Sequence, residues 1–548
     1  MGTHYTELVK GAIIGHWSSV SVRDYPGQAL KYYDVGMRIA RLHTLFRTLG
    51  LRPGDNVAVC GKNCANWIVS FLAVTTYGTV AVPIMREFRA IRMSQILEHS
   101  GCKMLFCTEE INRELSSVEF PMLESVVLLE DFSIVYLRDK DPEAVTAKWT
   151  EAWEETKDQI KRDNFGQDFY THQPDELLMV SYTSGTTSNP KGVMLSEWAV
   201  VSNLMYGVDM MPMHKGDTIV SALSIAHLYM LVCSFLIEFV NGVEIYMLPH
   251  LLSHSYVQSA FLQARPRMLV LTPQYIESLV RRTVLPRMSQ LKYRIMRAVP
   301  ILRHYINRRL CNELRNIFGG NIYQVVLGGA SLGKDVESAL HSIGFPYTVG
   351  YGMTECGPLV CYSEWQSYKR GSCGKPVDRM RVRIDSNDPY NNPGEILVTG
   401  DNLMLGYYKN NAETHRVIDK SGWLHTGDIG VLDRQGYVYI KGRLKSMIVL
   451  PSGLKIFPED IEAVINANPF IADSLVVQRD GSLVALVEPN MEDNYVKTHA
   501  SSLDSLIQAQ LDNINQQLPL YEQLESFEVM KDGFQKTPKR DIKRYLYQ

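Results

Sequence analysis

The chain has no Cys-x-x-Cys pair, no internal repeat, no low-complexity tract and almost no net charge. Its nine cysteines are scattered over 548 residues. An odd, dispersed set excludes a disulfide framework and predicts reduced thiols in a cytoplasmic protein, each a small apolar core residue. Long hydrophobic runs are also missing. The longest, LYMLVCSFLIEFV at 228–240, is interrupted by Glu238 and falls short of the about 20 residues that a bilayer requires. The first residues, MGTHYTELVKGAIIGHW, hold no long apolar segment, which predicts no secretory signal. A net charge of −3 gives no reason to expect nucleic acid, so any electropositive site must be local.

What is present is ordinary for a soluble globular enzyme, with 45% apolar and 21% charged residues. Much of the chain alternates apolar runs, turns and amphipathic segments. DNVAVCG, KMLFC, SVVLLE, ELLMVSY, RMLVLTP and YQVVLGGA read as buried strands. ANWIVSFLAVTTYG, VQSAFLQARP and DVESALHSIG read as helices, the last stopping at Gly344. Strands alternating with helices predict an α/β fold with parallel-type sheets covered by helices. The charged stretch within 139–176 predicts an exposed helix and a surface connection. Near residue 430 the texture changes to a hairpin around DRQG, then a helix opening at Pro458, two strands and a helix. That last helix carries Leu503, Leu506, Ile507, Leu511, Ile514 and Leu518 on one face. The predicted division is a large domain over 1–444 and a small α+β domain over 445–548.

The stretch SYTSGTTSNPKG at 181–192 brings hydroxyls, glycines and one lysine together after a strand. Successive backbone N–H groups in such a loop make an anion-binding concavity, and Lys191 adds a positive charge. It is not a Walker A loop, which needs GxxxxGK[ST], and GGASLG at 328–333 is not the dinucleotide fingerprint GxGxxG. Ser196 is placed to cap a following helix, which predicts a strand–loop–helix unit.

These stretches resemble, in order, the motifs of the adenylate-forming enzymes, which include acyl-CoA synthetases, luciferases and peptide-synthetase adenylation domains. The resemblance rests on TSGTTSNPKG (183–192), SIAHLYM (224–230), GGA (328–330) and GYGMTECGP (350–358), then GEILVTGDNLMLGYYK (394–409), GWLHTGDIG (422–430) and GRLKSMIVLPSGLKIFPEDIE (442–462). It implies a β-barrel-like part beside the parallel sheets and a mobile C-terminal lid. It implies an ATP-dependent ligase that converts a carboxylic acid to an acyl-adenylate and transfers it to coenzyme A, with Mg2+.

The resemblance also implies residue roles. Thr183, Ser184, Gly185, Thr186, Thr187 and Lys191 would hold the ATP phosphates, and Glu355 would hold Mg2+. Gly328, Gly329 and Ala330 with Tyr351, Gly352, Met353 and Thr354 would receive adenine. Asp428 and Arg443 would take the ribose, His227 would stand at the acyl pocket, and Lys445 would be the hinge. Two departures stand out. Ser188 replaces a loop glycine. In the tail KTPKRDIKR (536–544), Asp541 stands where the family carries a catalytic lysine. The predicted remedy is a neighbouring cation, Lys539, Arg540 or Lys543. The alternatives are an impaired nucleotide- or acyl-binding protein, or an adenylate synthetase that loads a carrier protein.

The stretch 281–315 has ten Lys/Arg against one Glu, a net of +9, with apolar residues at helical spacing. It is similar to basic helical insertions of bacterial long-chain fatty acid–CoA ligases. That resemblance implies a medium- or long-chain fatty acid as substrate; the basic stretch itself is open to a peripheral membrane contact, to packing against the large domain or to binding the coenzyme A phosphates.

Overall fold

The computed structural model describes residues 3–116, 122–183, 191–249, 254–449, 455–479, 482–498, 502–516, 518–519, 522–537 and 542–547. Two large sheets carry the first part of the chain. One has eight strands, with Asn56–Cys60 paired in parallel to Val80–Ile84 and to Met104–Cys107. The other has seven, with Thr218–Ser221, Met268–Leu271, Gln324–Leu327 and Tyr347–Val349 running parallel. Their strands are near-continuous apolar runs because both faces are covered: Val57, Ala58 and Val59 are wholly buried, as are Leu269 and Val270. The helix Ala65–Tyr77 is buried almost all round, from Ala65 to Thr76. It ends at Gly78, whose φ of 92° suits a residue without a Cβ.

Residues 351–443 add a three-stranded and a four-stranded antiparallel sheet. In the second, Leu424–Leu432 turns back into Val438–Arg443, the hairpin expected around DRQG. The C-terminal part pairs Ile471–Arg479 with Ser482–Pro489 and adds Ser526–Val529. Its helices Pro458–Ile465 and Leu503–Asn515 bury Ile461, Ile465, Ile507, Leu511 and Ile514 against that sheet. Leu518 is buried in the same cluster, whereas Leu503 and Leu506 are only half-buried. All nine cysteines are free; eight are buried and Cys64 is half-buried.

Three expectations change. The hydroxyl-rich loop does not lead straight into a helix. Lys191–Ser196 forms a second strand, antiparallel to Leu177–Thr183, so the loop is the tip of a β-hairpin. The helix Glu197–Met210 starts only after it, with Ser196 Oγ accepting from the Ala199 N–H at 3.1 Å. The basic stretch is not one helix. Pro286 and Pro300 take first-turn positions of new helices, giving Pro273–Thr283, Leu285–Ser289, Leu291–Ala298 and Pro300–Ile317.

The charged helix Pro142–Thr156, capped by Asp141, is exposed on one face only. Its other face buries Val145 and Trp149, and the Trp149 indole N–H donates to Arg41 O at 2.9 Å. Trp149→Ala should therefore destabilise the large domain by about 3 kcal/mol, read as a lower denaturant midpoint. A change within a few tenths would mean that this face is not packed.

Candidate active site

The hairpin Leu177–Thr183/Lys191–Ser196 brings Thr183 opposite Lys191 at its loop end. Its outer strand pairs on the other side with Gly406–Tyr407. This register sets Lys191 beside Tyr407, with the ammonium 5.3 Å from the ring centroid. Lys191 Nζ also meets Glu413 Oε1 at 2.5 Å, and Arg416 reaches the same carboxylate at 2.6 Å. Arg416, then Lys191, hold the Glu413 carboxyl down at about 2. Ser184, Gly185, Thr186, Thr187 and Ser188 lie outside the described residues.

Glu355 sits on a single 3-10 turn, Thr354–Cys356, after the short strand Tyr351–Gly352. Gly352 is required there, since a Cβ would come within 2.1 Å of Pro358 O. Tyr407 Oη donates to Glu355 Oε1 at 2.8 Å. Burial, reinforced by Glu355, pushes the Tyr407 phenol up, so it stays a donor. Lys191, Tyr407, Glu413 and Glu355 thus form one connected group. Tyr407 and Glu413 were not singled out from the sequence. Tyr407 lies within a motif stretch, but Glu413 reaches Lys191 across 222 residues and leaves no local spacing to read.

Asp428 ends up opposite Arg443 in the neighbouring hairpin, with Oδ1 3.1 Å from Arg443 Nε. Its Oδ2 accepts from the Tyr351 hydroxyl at 2.6 Å. Asp428 has 8% of its side chain exposed against 73% for Arg443, so the pair is open on the arginine side.

His227 caps the short helix Leu228–Leu231. Its Nδ1 accepts from the Tyr229 N–H at 3.3 Å, which places a ring proton on Nε2 in the neutral form. The chain then widens into a π-helical turn, Val232–Leu236. Just beyond it Glu238 is wholly buried, and burial raises its carboxyl to about 8. Gly328 packs on Tyr229, because a Cβ at 328 would sit 2.8 Å from the ring hydroxyl. That hydroxyl is buried with no hydrogen-bond partner among the described residues.

All of the expected site residues that are described line one crevice of about 2560 Å³: Thr183, Lys191, His227, Gly328, Gly329, Ala330, Tyr351, Gly352, Met353, Thr354, Glu355, Asp428, Arg443 and Lys445. Lys445 is exposed in the turn after Val438–Arg443. C-terminal residues including Glu459, Lys536 and Arg544 line it too. Among the tail cations, Lys536 is taken by Asp473 and Glu488 at 3.0 and 3.3 Å, and Arg544 by Glu462 at 2.7 Å. Lys543 has no ion pair among the described residues. Lys539, Arg540 and Asp541 lie outside them. The described residues contain no group of three or more His, Cys, Asp or Glu able to hold a metal ion. A lone cavity carboxylate such as Glu355 suits Mg2+, which keeps waters and shares substrate phosphates.

A model of the AMP-binding enzymes matches residues 15–408, and one of their C-terminal domain matches 445–547. The chain belongs to the AMP-binding enzyme family. Among other AMP-binding enzymes, it is 28% identical over 468 residues to 4-coumarate–CoA ligase 1 of Arabidopsis thaliana, covering 82% of this chain and 76% of that one. A 4-coumarate–CoA ligase 2 of Solanum tuberosum is 26% identical over 463 residues, 81% and 76% of the two chains. The fold matches an anthranilate CoA ligase bound to anthranoyl-AMP, with a TM-score of 0.80 at 17% identity over 100% of this chain and 97% of that one. It also matches the o-succinylbenzoate CoA synthetase of Bacillus subtilis, with a TM-score of 0.77 at 19% identity over 100% and 99%.

The Glu413 carboxyl lies below its ordinary value of 4.5, so its pairing contributes stability above that pH and loses it as pH falls toward about 2. Carboxyl NMR should show Glu413 titrating near 2. Arg416→Met with Lys191→Met should return it toward 4.5; an unmoved midpoint would rule the pairing out.

Proposed function

We propose that the protein is an AMP-forming ligase. It joins a carboxylic acid to ATP, releases pyrophosphate, and passes the acyl group to coenzyme A. The observation that carries this reading is the convergence of Lys191, Glu355, Asp428 and His227, from four distant motifs, on one crevice.

Each residue then has a task. Thr183 and Lys191, with the loop between them, grip the β- and γ-phosphates. Lys191 is paired with Glu413, and an incoming triphosphate takes Glu413's place. Glu355 would hold Mg2+, which supplies charge neutralisation on the phosphates. Asp428 accepts the ribose hydroxyls in exchange for its bonds to Tyr351 and Arg443. Gly328–Ala330 and Tyr351–Thr354 receive adenine, and His227 stands where the acyl chain enters. Lys445 is the pivot on which residues 445–548 turn between the two half-reactions. Because Lys536 and Arg544 are engaged within the C-terminal part, the charge missing at Asp541 falls to Lys539, Arg540 or Lys543.

A medium- or long-chain fatty acid is the first reading for the acid. The apolar residues that line the crevice include Met211, Cys233, Val326, Val349 and Leu359. An aryl acid is the second reading. It is favoured by the unsatisfied Tyr229 hydroxyl, which a distal oxygen of the substrate would pair.

A panel of acids from acetate to oleate, with cinnamate and 4-hydroxycinnamate, should be scored by pyrophosphate release. Output rising with alkyl length supports the fatty acid. A preference for 4-hydroxycinnamate that Tyr229→Phe reduces about tenfold supports the aryl acid. No pyrophosphate from any acid would leave only a nucleotide-binding protein. Thioester that forms with a carrier protein and not with coenzyme A would overturn the acceptor. Glu355→Gln should slow adenylation at least about 100-fold, and an unchanged rate would refute its metal role.

A further inference from the structure

The helices Leu291–Ala298 and Pro300–Ile317 pack against each other as a hairpin on the large domain. Its inner side belongs to the core: Ile306, Leu310, Cys311 and Leu314 are buried. Its outer side does the opposite of what a solvated face does. Leu291 is 71% exposed, Ile295 61%, Ile301 82% and Tyr305 63%, with Val299 and Leu302 beside them. Exposed cations stand between these side chains: Lys292, Arg294, Arg303 and Arg308. None of these four makes an ion pair among the described residues, whereas Arg287 and Arg309 share Glu313, the stretch's one acid.

We propose that this hairpin docks the enzyme on an anionic lipid surface. A basic helical face with large apolar side chains inserts those side chains below the headgroups while its Lys and Arg meet lipid phosphates. The chemistry selects this occupant over others. A soluble polyanion such as the coenzyme A phosphates would use the cations and leave Leu291, Ile295, Ile301 and Tyr305 in water. A second copy of the chain would set two strongly positive faces against each other.

The position adds a use. Arg281, Arg282, Leu285 and Ser289, just before the hairpin, line the crevice that holds Lys191 and Glu355. A docked hairpin therefore puts the crevice beside the membrane, where an amphiphilic acid is concentrated. That use rests on the ligase reading; the docking does not.

The test is sedimentation of the full-length protein with phosphatidylcholine vesicles, alone or with phosphatidylglycerol as about one third of the lipid. The parent should partition into the anionic vesicles at least about tenfold more than into the neutral ones, and less as salt rises. Ile295→Ser with Ile301→Ser, and separately Arg294→Ser with Arg303→Ser, should each cut that partitioning about tenfold. Both variants should keep the parent's melting temperature, since all four side chains are exposed.

Equal partitioning into both vesicle types, variants that bind like the parent, or displacement of the protein by coenzyme A would each overturn the proposal. Binding to an acidic protein that outcompetes the anionic vesicles would overturn it too. Pyrophosphate release from a water-soluble acid is measured alongside, so a failure of the ligase reading shows there and not in the vesicle assay.

Discussion

The register between Leu177–Thr183 and Lys191–Ser196 governs the centre of this molecule. One antiparallel ladder places a cation at its loop end and a helix cap at its other end, since Ser196 closes the strand and starts Glu197–Met210. A slip by one residue would turn Lys191 to the other face. The same strand pairs with Gly406–Tyr407. That pairing delivers Tyr407 to Glu355 and leaves Glu413, a few residues on, to neutralise the lysine. A short stretch of hydrogen-bonded backbone thus converts separate segments of chain into one electrostatic unit.

Much of this was legible beforehand, for physical reasons. Parallel strands buried on both faces are unbroken apolar runs, so Asn56–Cys60 and Gln324–Leu327 announce themselves. Gly344, at φ 70°, marks its helix end by being the residue that can adopt that conformation. The strand Lys191–Ser196 stayed hidden because KGVMLS is short and adjoins a helix that extends the same apolar pattern. Trp149 stayed hidden because one aromatic among many charges does not outline a buried face. The crevice residues were legible through the order of their motifs. Glu413 was not, because its contact with Lys191 is wholly tertiary.

The tail shows a different economy of charge. Lys536 and Arg544 flank in sequence Asp541, which the resemblance sets in place of a lysine, and both are held by carboxylates of their own domain. Burial raises the Glu462 carboxyl, and Arg544 opposes that rise. Such a pair costs much to break, because either partner alone would be a buried charge. The arrangement engages two cations that line the crevice with carboxylates of their own domain. Any compensating charge must come from side chains that the domain's own packing has not already engaged.

The bond from Tyr351 to Asp428 has a consequence for turnover. The acid has a hydroxyl partner 2.6 Å away within its own chain. In the ribose role proposed for Asp428, an arriving sugar would trade bonds instead of adding them, and its departure would strand no shielded carboxylate. On that proposal, recognition at this spot would be firm in geometry yet shallow in free energy, which would suit a catalyst that must let its spent nucleotide go.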